Sequence, residues 1–322
     1  MMAPLAGVTD KSFRRICFEK GAQGALTEMV SVKGIAYHDP KTAAYLQRHV
    51  DEKVVGLQLF GHEPEIFGQV LGELDDLPFA FIDLNMGCPA PKIVKNRDGS
   101  ALMREVKLVE KLLKTMVKES PLPVTVKMRL GWSEEEKNFL EIGKIAEDAG
   151  VSAVALHGRT RSMFYSGKAD WEAIASLKES LSIPVYGNGD IFTAKQGLER
   201  MQQSHVDGIL IGRGVLGNPW IFAEMEALIE GRAYTAPTKK EIYDTILRHY
   251  HMVLEDKGER VGLLQMRKHA AWYLKGLEGN GKVRSDINAS LNMEEIQDIL
   301  QRFLCTELQR SEERRVGKEC RS

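Results

Sequence analysis

The chain has 322 residues, 43% of them hydrophobic, and its 44 Lys and Arg nearly balance 45 Asp and Glu, leaving a net charge of −1. A chain of this length is typical of two domains, or of one barrel with an added domain. The charge balance argues against a protein that binds polyanions over its whole surface, but it leaves local patches open. No apolar run approaches about 18 residues and the start does not resemble a signal peptide, so we expect no membrane partner and a cytoplasmic location.

The cysteines are scattered along the chain, at Cys17, Cys88, Cys305 and Cys320. None lies close enough to another to form a C-x2-C pair, so we expect no zinc or iron–sulfur site and no other metal. Cysteines this few and this far apart suit a reducing compartment rather than a disulfide framework.

Short apolar runs alternate with helical patterns along the first two thirds of the chain. The predicted strands are Met2–Leu5, Gly24–Thr27, Val54–Leu59, Phe81–Leu84, Val124–Met128, Ala153–Leu156, Val185–Gly187 and Gly208–Ile211. The predicted helices include Lys11–Lys20, Val106–Glu119, Ser133–Ala149, Trp171–Leu181 and Thr193–Met201. Nearly continuous apolar strands separated by helices predict a parallel sheet. Eight such units over about 220 residues favour a (β/α)8 TIM barrel over an open α/β sheet.

The remainder of the chain is predicted to be helical. Thr238 and Glu241 form a capping-box pattern at a helix start. The predicted helices are Ile242–Leu254, Leu263–Leu277 and Met293–Leu308. We therefore predict a barrel domain over 1–231, a small all-helical C-terminal domain over 238–310, and a disordered or non-native tail over 311–322, where Glu and Arg occur without apolar periodicity.

Polar or glycine-rich signals follow the predicted strands, at the end of a barrel where active sites lie. Gly189, Gly212 and Arg213 follow the last two strands and are typical of a phosphate site. Lys127 and His157 end two other strands, and Gln58 lies on a third. Each could be structural, the Lys reaching solvent from the barrel rim and the His satisfied by backbone. Together, however, these donors suit a flavin, with Lys and Gln at the ring edge and Gly and Arg at the phosphate.

Cys88 lies between Gly87 and Pro89 on a tight turn that directly follows a predicted strand. It could be a packing thiol, a nucleophile or an acid. An unperturbed thiol has a pKa of roughly 8.5 and is mostly protonated near neutrality, which favours proton donation. A nucleophilic thiol would need adjacent cations to lower that pKa, and none immediately flanks it.

Six motifs in order resemble those of the tRNA-dihydrouridine synthases, most closely the bacterial B type. They are Met2–Asp10, Asp83–Pro91 with Lys92, Val126–Gly131, His157–Thr160, Gly187–Ile191 and Ile211–Gly214. The resemblance extends from Met2 to about Arg302.

This resemblance implies FMN bound in a TIM barrel, a helical domain that helps to hold tRNA, and NADPH or NADH as reductant. The implied FMN contacts are Pro4, Leu5, Ala6, Gln58, Lys127, His157, Asn188, Gly189, Asp190, Gly212 and Arg213. Asn85 and Arg129 would bind the target uridine. Reduced flavin would transfer hydride to C6 of the uracil while Cys88 protonates C5.

The helical region also carries a local excess of positive charge. Between Lys257 and Arg284 there are seven Lys or Arg against two Glu. This could be an ordinary solvated helix face, but tRNA binding would use such a patch, and we predict that Arg267 and Lys268 contact tRNA. Trp272 and Tyr273 are either stacking groups for bases or core residues.

Two other functions remain open from the sequence. A flavin barrel acting on a free pyrimidine or another small molecule would share the phosphate site and Lys127, but would not need a basic helical domain. A non-enzymatic RNA-binding protein on a decayed barrel would not need Cys88, Lys127 and His157. The oligomeric state is not encoded in these patterns, and we expect a monomer.

Overall fold

A computed structural model describes residues 1–73 and 78–305. Within it the chain divides into two compact units, one made of Met1–Gly214 with Ile221–Arg232, and the other of Val215–Trp220 with the chain from Ala233 onward. The tail predicted over 311–322 and the end of the last predicted helix lie outside the described residues. No described helix is both long and apolar enough to span a bilayer.

The first unit contains one sheet in which every pair of neighbouring strands is parallel. Its strands are β1 Ala25–Leu26, β2 Val30–Ser31, β3 Val55–Phe60, β4 Phe81–Met86, β5 Val124–Arg129, β6 Ala153–His157, β7 Val185–Asn188 and β8 Gly208–Leu210. Their order is β1-β3-β4-β5-β6-β7-β8, and β2 pairs with the end of β3. Met2 bridges in parallel to both Ala25 and Ile211, so it closes the ring between the first and last strands. A closed parallel sheet of this kind is the core of a (β/α)8 barrel.

The predicted first strand, Met2–Leu5, is wrong in extent, because the structure has only the bridge at Met2. Pro4 has no N–H to donate to a ladder, and the backbone N–H of Leu5 donates to the Thr9 hydroxyl at 3.0 Å instead. The short strand β2 was not predicted, because two residues are too few to show a periodicity.

Helices follow the strands around the barrel. They are α1 Lys11–Glu19, α2 Val32–Ala36, α3 Pro64–Glu73, α4 Pro91–Val94, α5 Val106–Glu119, α6 Phe139–Asp148, α7 Trp171–Ser180, α8 Ala194–Ser204 and α9 Ile221–Ile229. Short 3-10 helices span Ala43–Leu46, Gly99–Arg104 and Arg213–Val215. The prediction that a helix starts at Ser133 is wrong, because an antiparallel bridge between Gly131 and Lys137 forms a small turn before α6.

Large and small residues alternate across the barrel interior near the start of the strands. The Phe81 ring occupies the space beside Gly56, and the Tyr186 ring lies beside Gly208, where an added Cβ would come within 2.6 Å of it. Alternation of this kind fills a tapered barrel without voids. Nearer the strand ends, buried polar side chains such as Gln58, Asn85 and Asn188 appear on the strands.

The second unit consists of helices α10 Lys239–Lys257, α11 Glu259–Tyr273, α12 Asn280–Ala289 and α13 Met293–Leu304. The predicted capping box is present, with the Thr238 side chain accepting from the Glu241 N–H and the Glu241 carboxylate accepting from the Thr238 N–H. The core is mainly aliphatic and aromatic and includes Ile246, Tyr250 and Leu300. Helix α12 was missed, because only Val283 and Ile287 mark its buried face and Gly281 lies in its first turn.

Candidate active site

Side chains from four neighbouring strands meet at the carboxyl end of the barrel. The register pairs Asn85 of β4 with Lys127 of β5, and His157 of β6 with Asn188 of β7. The Lys127 ammonium donates to the Asn188 amide oxygen at 3.0 Å, and the Asn188 amide nitrogen donates to the Leu210 carbonyl of β8 at 2.7 Å. Residues predicted from separate motifs therefore lie at one rim.

The rim is rich in positive charge, which changes how its groups titrate. Burial, and secondarily the charge of Arg129, lower the pKa of Lys127 to about 8. Burial also lowers the pKa of His157 well below its usual value, and the surrounding Lys and Arg side chains act in the same direction. At neutral pH His157 is therefore an uncharged donor and acceptor, whereas most Lys127 side chains keep their charge.

A chain of hydrogen bonds runs across strands β3 and β4 toward Cys88. The Gln58 amide nitrogen donates to Asp83 at 2.8 Å, and the Gln58 amide oxygen accepts from the Asn85 amide nitrogen at 2.8 Å. The Asn85 oxygen in turn accepts from the backbone N–H groups of Gly87 at 3.1 Å and Cys88 at 2.9 Å. Of two predicted site residues, Asn85 is thus bonded directly to the turn that carries the thiol, and Gln58 is connected to it through Asn85.

The Cys88 turn is held from the other side by the segment after α4. The Ser100 hydroxyl donates to the Cys88 carbonyl at 2.9 Å, and the Ser100 N–H donates to the same oxygen at 3.1 Å. Gly99 has a φ of 61°, and an added Cβ there would come within 2.8 Å of the Cys88 carbonyl oxygen. The thiol is partly exposed, and burial is the largest cause of a raised pKa at Cys88. It is therefore protonated at neutral pH.

The predicted phosphate end is organised around Asp190, whose φ of 51° lies in the left-handed region. Its carboxylate accepts two hydrogen bonds from Arg159, at 2.6 and 2.8 Å, and one from Arg213 at 3.2 Å. Burial opposes ionisation of Asp190, but the Ala169 N–H and the Arg159 guanidinium outweigh it and hold the pKa of this carboxyl below its usual value. Asp190 thus orients Arg213, which is partly exposed. The space beside Gly212 is open, since an added Cβ would meet nothing closer than 3.8 Å.

Arg129, predicted to bind the target uridine, is only 2% exposed and is bonded to the protein backbone. Its guanidinium donates to three backbone carbonyls, of Gly87 at 2.7 Å, Thr160 at 2.9 Å and Phe164 at 2.9 Å. Burial lowers the pKa of Arg129 to about 10, so it stays charged at neutral pH. These contacts tie the Cys88 turn to the loop between β6 and α7.

The remaining predicted barrel residues, Pro4, Leu5 and Ala6, follow the Met2 bridge and so lie at the same end of the sheet. Among the described residues, no cluster of His, Cys, Asp and Glu has the arrangement needed to hold a metal ion. In the helical unit Arg267 and Lys268 lie next to each other on α11, with Lys268 exposed and Arg267 partly exposed. Tyr273 is only 4% exposed and belongs to the helical core, so it is not available to stack on a base.

The sequence as a whole matches the family model described as "Dihydrouridine synthase (Dus)" over residues 1–309. The chain belongs to the dihydrouridine synthase family. Among similar curated proteins is the tRNA-dihydrouridine synthase B of Pasteurella multocida, which is 39% identical over 89% of this chain and 87% of that protein. The corresponding protein of Pseudomonas aeruginosa is 36% identical over 89% of this chain and 87% of its own length. The predicted resemblance and the predicted enzyme class are therefore confirmed.

A solved structure with a similar fold is the histamine dehydrogenase from Rhizobium sp. 4-9, with a TM-score of 0.54 and 15% sequence identity. The alignment covers 78% of this chain and 48% of that protein, so this chain spans about half the length of the dehydrogenase. At this identity the likeness concerns the fold alone. It agrees with the parallel barrel described above, and the predicted fold class of this dihydrouridine synthase family member is confirmed.

The sequence analysis did not predict three residues of the site. Asp83 and Arg159 lie inside motifs that were recognised, but their partners are far along the chain. Tyr165 is 47% exposed, and its ring centre lies 5.7 Å from the guanidinium carbon of Arg129 and 4.8 Å from that of Arg213. An aromatic residue two positions before a glycine, in a loop that follows a strand, is common in surface loops, so no sequence signal pointed to it.

Proposed function

We propose that this protein reduces specific uridines of tRNA to 5,6-dihydrouridine, with FMN as bound cofactor and NADPH or NADH as reductant. One observation carries the proposal: hydrogen-bond donors suited to a flavin lie at the same barrel rim as a protonated thiol on the Cys88 turn. Neither half alone would specify this reaction. The relatives named above, which are called tRNA-dihydrouridine synthases, support tRNA as the substrate.

The residues present fit an anionic, planar cofactor. Within the part of the chain that the structure describes, the side-chain amides of Gln58 and Asn188 each donate one hydrogen bond and accept one. Each amide can therefore donate one more hydrogen bond and accept one more. Lys127, Arg129, Arg159 and Arg213 outnumber the carboxylates Asp83 and Asp190 around them. That excess of positive charge suits a phosphate and an electron-rich ring. Lys127 and Gln58 would hold the ring edge and Arg213 the phosphate.

A bound flavin would supply the redox chemistry, the transfer of hydride from the nicotinamide to C6 of the uracil. The protein supplies the proton. The Cys88 thiol is protonated at neutral pH because burial raises its pKa, so it can donate to C5. Asn85 accepts a hydrogen bond from the backbone N–H of Cys88 and would also hold the base. Arg129 ties that turn to the loop at Thr160, so the thiol is presented from a rigid support.

We assign the catalytic role to residues 1–231 and tRNA binding to residues 238–310. A uridine inside folded tRNA must leave its stack to enter a barrel, which costs a few kcal/mol and demands contacts elsewhere on the RNA. The charge excess between Lys257 and Arg284 would provide contacts to phosphates. A cytoplasmic monomer remains our prediction for location and assembly.

An anaerobic experiment tests this proposal. The purified protein is loaded with FMN and reduced with NADPH, unmodified tRNA is added, and the flavin absorbance is followed. We expect rapid reoxidation by tRNA but not by free uridine, with dihydrouridine then found in the RNA by mass spectrometry. Reoxidation by free pyrimidines alone would favour the small-molecule reductase. Failure to bind flavin would refute the proposal.

A further inference from the structure

Asp83 lies in the middle of β4 and is only 2% exposed. The sheet register places it between Gln58 of β3 and Thr125 of β5. One carboxylate oxygen accepts from the Gln58 amide nitrogen at 2.8 Å, and the other accepts from the Thr125 hydroxyl at 2.7 Å. Asp83 is two residues before Asn85, so both side chains lie on the same face of the strand.

The ionised carboxylate can only accept hydrogen bonds, and this determines the orientation of the amides that follow. Gln58 must turn its nitrogen toward Asp83, which leaves its oxygen facing Asn85. Asn85 must then turn its nitrogen toward Gln58, which leaves its oxygen facing the N–H of Cys88. If the Gln58 amide were reversed, its NH2 group would face the NH2 group of Asn85. Turning Asn85 over as well would remove this conflict, but the Cys88 N–H would then lose its acceptor.

We propose that Asp83 is a positioning residue that sets the direction of the hydrogen-bond chain from Gln58 through Asn85 to the Cys88 turn. It thereby determines which face of each amide is offered to the cofactor and to the base. The inference rests on the proposed function for its catalytic consequence, but the direction of the chain is a property of the protein alone.

The electrostatics of the position agree with this role. Burial raises the pKa of Asp83 to about 6, while the Thr125 and Gln58 hydrogen bonds and the charge of Lys127 lower it. The group is therefore still ionised at neutral pH and acts as an acceptor only. A buried carboxylate is less favourable for stability than an apolar side chain of similar size. Its presence is explained if its function is to orient its neighbours.

Three substitutions separate orientation from bulk. Asp83→Leu keeps the branched shape, with somewhat more bulk, but removes the acceptor. Asp83→Asn can keep an oxygen toward Gln58 while its nitrogen donates to the Thr125 hydroxyl. Thr125→Val is the matched control that leaves the chain from Asp83 to Cys88 intact. We expect Asp83→Leu to slow flavin reoxidation by tRNA by about a hundredfold. Both the Cys88 acid and the Asn85 contact to the uracil would be displaced, and small displacements of reacting groups slow catalysis strongly. We expect Asp83→Asn and Thr125→Val to slow it by less than about threefold. Equal losses in Asp83→Leu and Thr125→Val would overturn the proposal.

A measurement on the flavin-free protein is independent of turnover. With Asn and Gln labelled by ¹⁵N, the side-chain NH2 signals of Gln58 and Asn85 should move together in Asp83→Leu and stay near their original positions in Thr125→Val. Should Asp83→Leu not fold, Asp83→Ala removes the acceptor with less bulk. Unmoved Asn85 signals in Asp83→Leu or in Asp83→Ala would refute the chain. A wild-type enzyme inert toward tRNA would refute the proposed function, while the NMR result would still decide the role of Asp83.

Discussion

The two units of this protein use their interiors in opposite ways. The barrel buries charged side chains, including Asp83, Arg129 and Arg159, and satisfies each with hydrogen bonds. The helical unit buries mainly aliphatic and aromatic side chains, and its described Lys and Arg residues are all at least partly exposed. Buried charge costs free energy and is retained where chemistry or orientation requires it. The proposed reaction therefore depends on side chains inside the barrel, whereas the proposed tRNA recognition depends on side chains at the surface of the helices.

The largest expected effect comes from removing the Cys88 thiol of the barrel. Replacement of Cys88 by Ala should lower the rate of dihydrouridine formation by about 10²- to 10⁴-fold, the range usual for loss of a general acid. Reduction of the flavin by NADPH should be unchanged, because no proton from Cys88 enters that half-reaction. Rapid-mixing absorbance separates the two rates. Cys305→Ala, which removes a thiol from the helical unit, is the control, and a near-normal rate in Cys88→Ala would remove the acid assignment.

The next effect tests whether the interior cation serves the cofactor. Lys127→Met should weaken FMN binding by about 10- to 100-fold, since a charge-assisted hydrogen bond contributes roughly 1.5–3 kcal/mol. Quenching of flavin fluorescence on titration with the apoprotein measures this. Lys144→Met removes an exposed Lys from the outside of the same barrel and should leave the affinity unchanged. If the two variants behaved alike, the contrast between interior and surface charge would fail.

Surface charge is tested in the helical unit. Arg267→Ala together with Lys268→Ala should weaken tRNA binding by about tenfold. The slope of the logarithm of the binding constant against the logarithm of the salt concentration should become shallower by about 1 to 2. FMN affinity should not change. Lys114→Ala with Lys118→Ala removes two charges from α5 of the barrel and serves as the matched control. An unaltered salt dependence in the α11 variant would show that tRNA does not contact this face.

The smallest expected effect is a pH dependence. Because the pKa of Lys127 is lowered to about 8, its charge is present at pH 7 and is progressively lost as pH rises toward 9. FMN affinity of the wild-type protein should therefore fall by roughly three- to tenfold over that range. In Lys127→Met the affinity should be weak and nearly flat from pH 7 to 9. An equal decline in both proteins would assign the titration to another group.

Sequence patterns predicted the barrel because its strands are buried on both faces and so appear as apolar runs. They failed where local signals conflict with distant contacts. Ser133 and the Glu residues after it resemble a helix start, but the bridge from Gly131 to Lys137 takes precedence. Helix α12 has only two well-buried apolar positions, so its periodicity was too weak to detect.

The site was predictable where a residue's type implies its chemistry, as with the thiol of Cys88 and the donors Lys127 and His157, whose roles remain predictions. The role of Asp83 could not be assigned, because it depends on a hydrogen bond from Gln58. Gln58 lies 25 residues away and is brought beside Asp83 only by the strand register. Arg159 depends likewise on Asp190, 31 residues later. Hydrogen-bond partners across a sheet are determined by topology, which a single sequence does not display.

The rings at the barrel floor have an evolutionary consequence. Phe81 occupies the space that Gly56 leaves, and Tyr186 the space that Gly208 leaves. Neither position can change alone without a clash or a void, each of which costs about 1–3 kcal/mol or more. The members of each pair should therefore covary among related sequences, with a larger residue at 56 or 208 accompanied by a smaller one at 81 or 186.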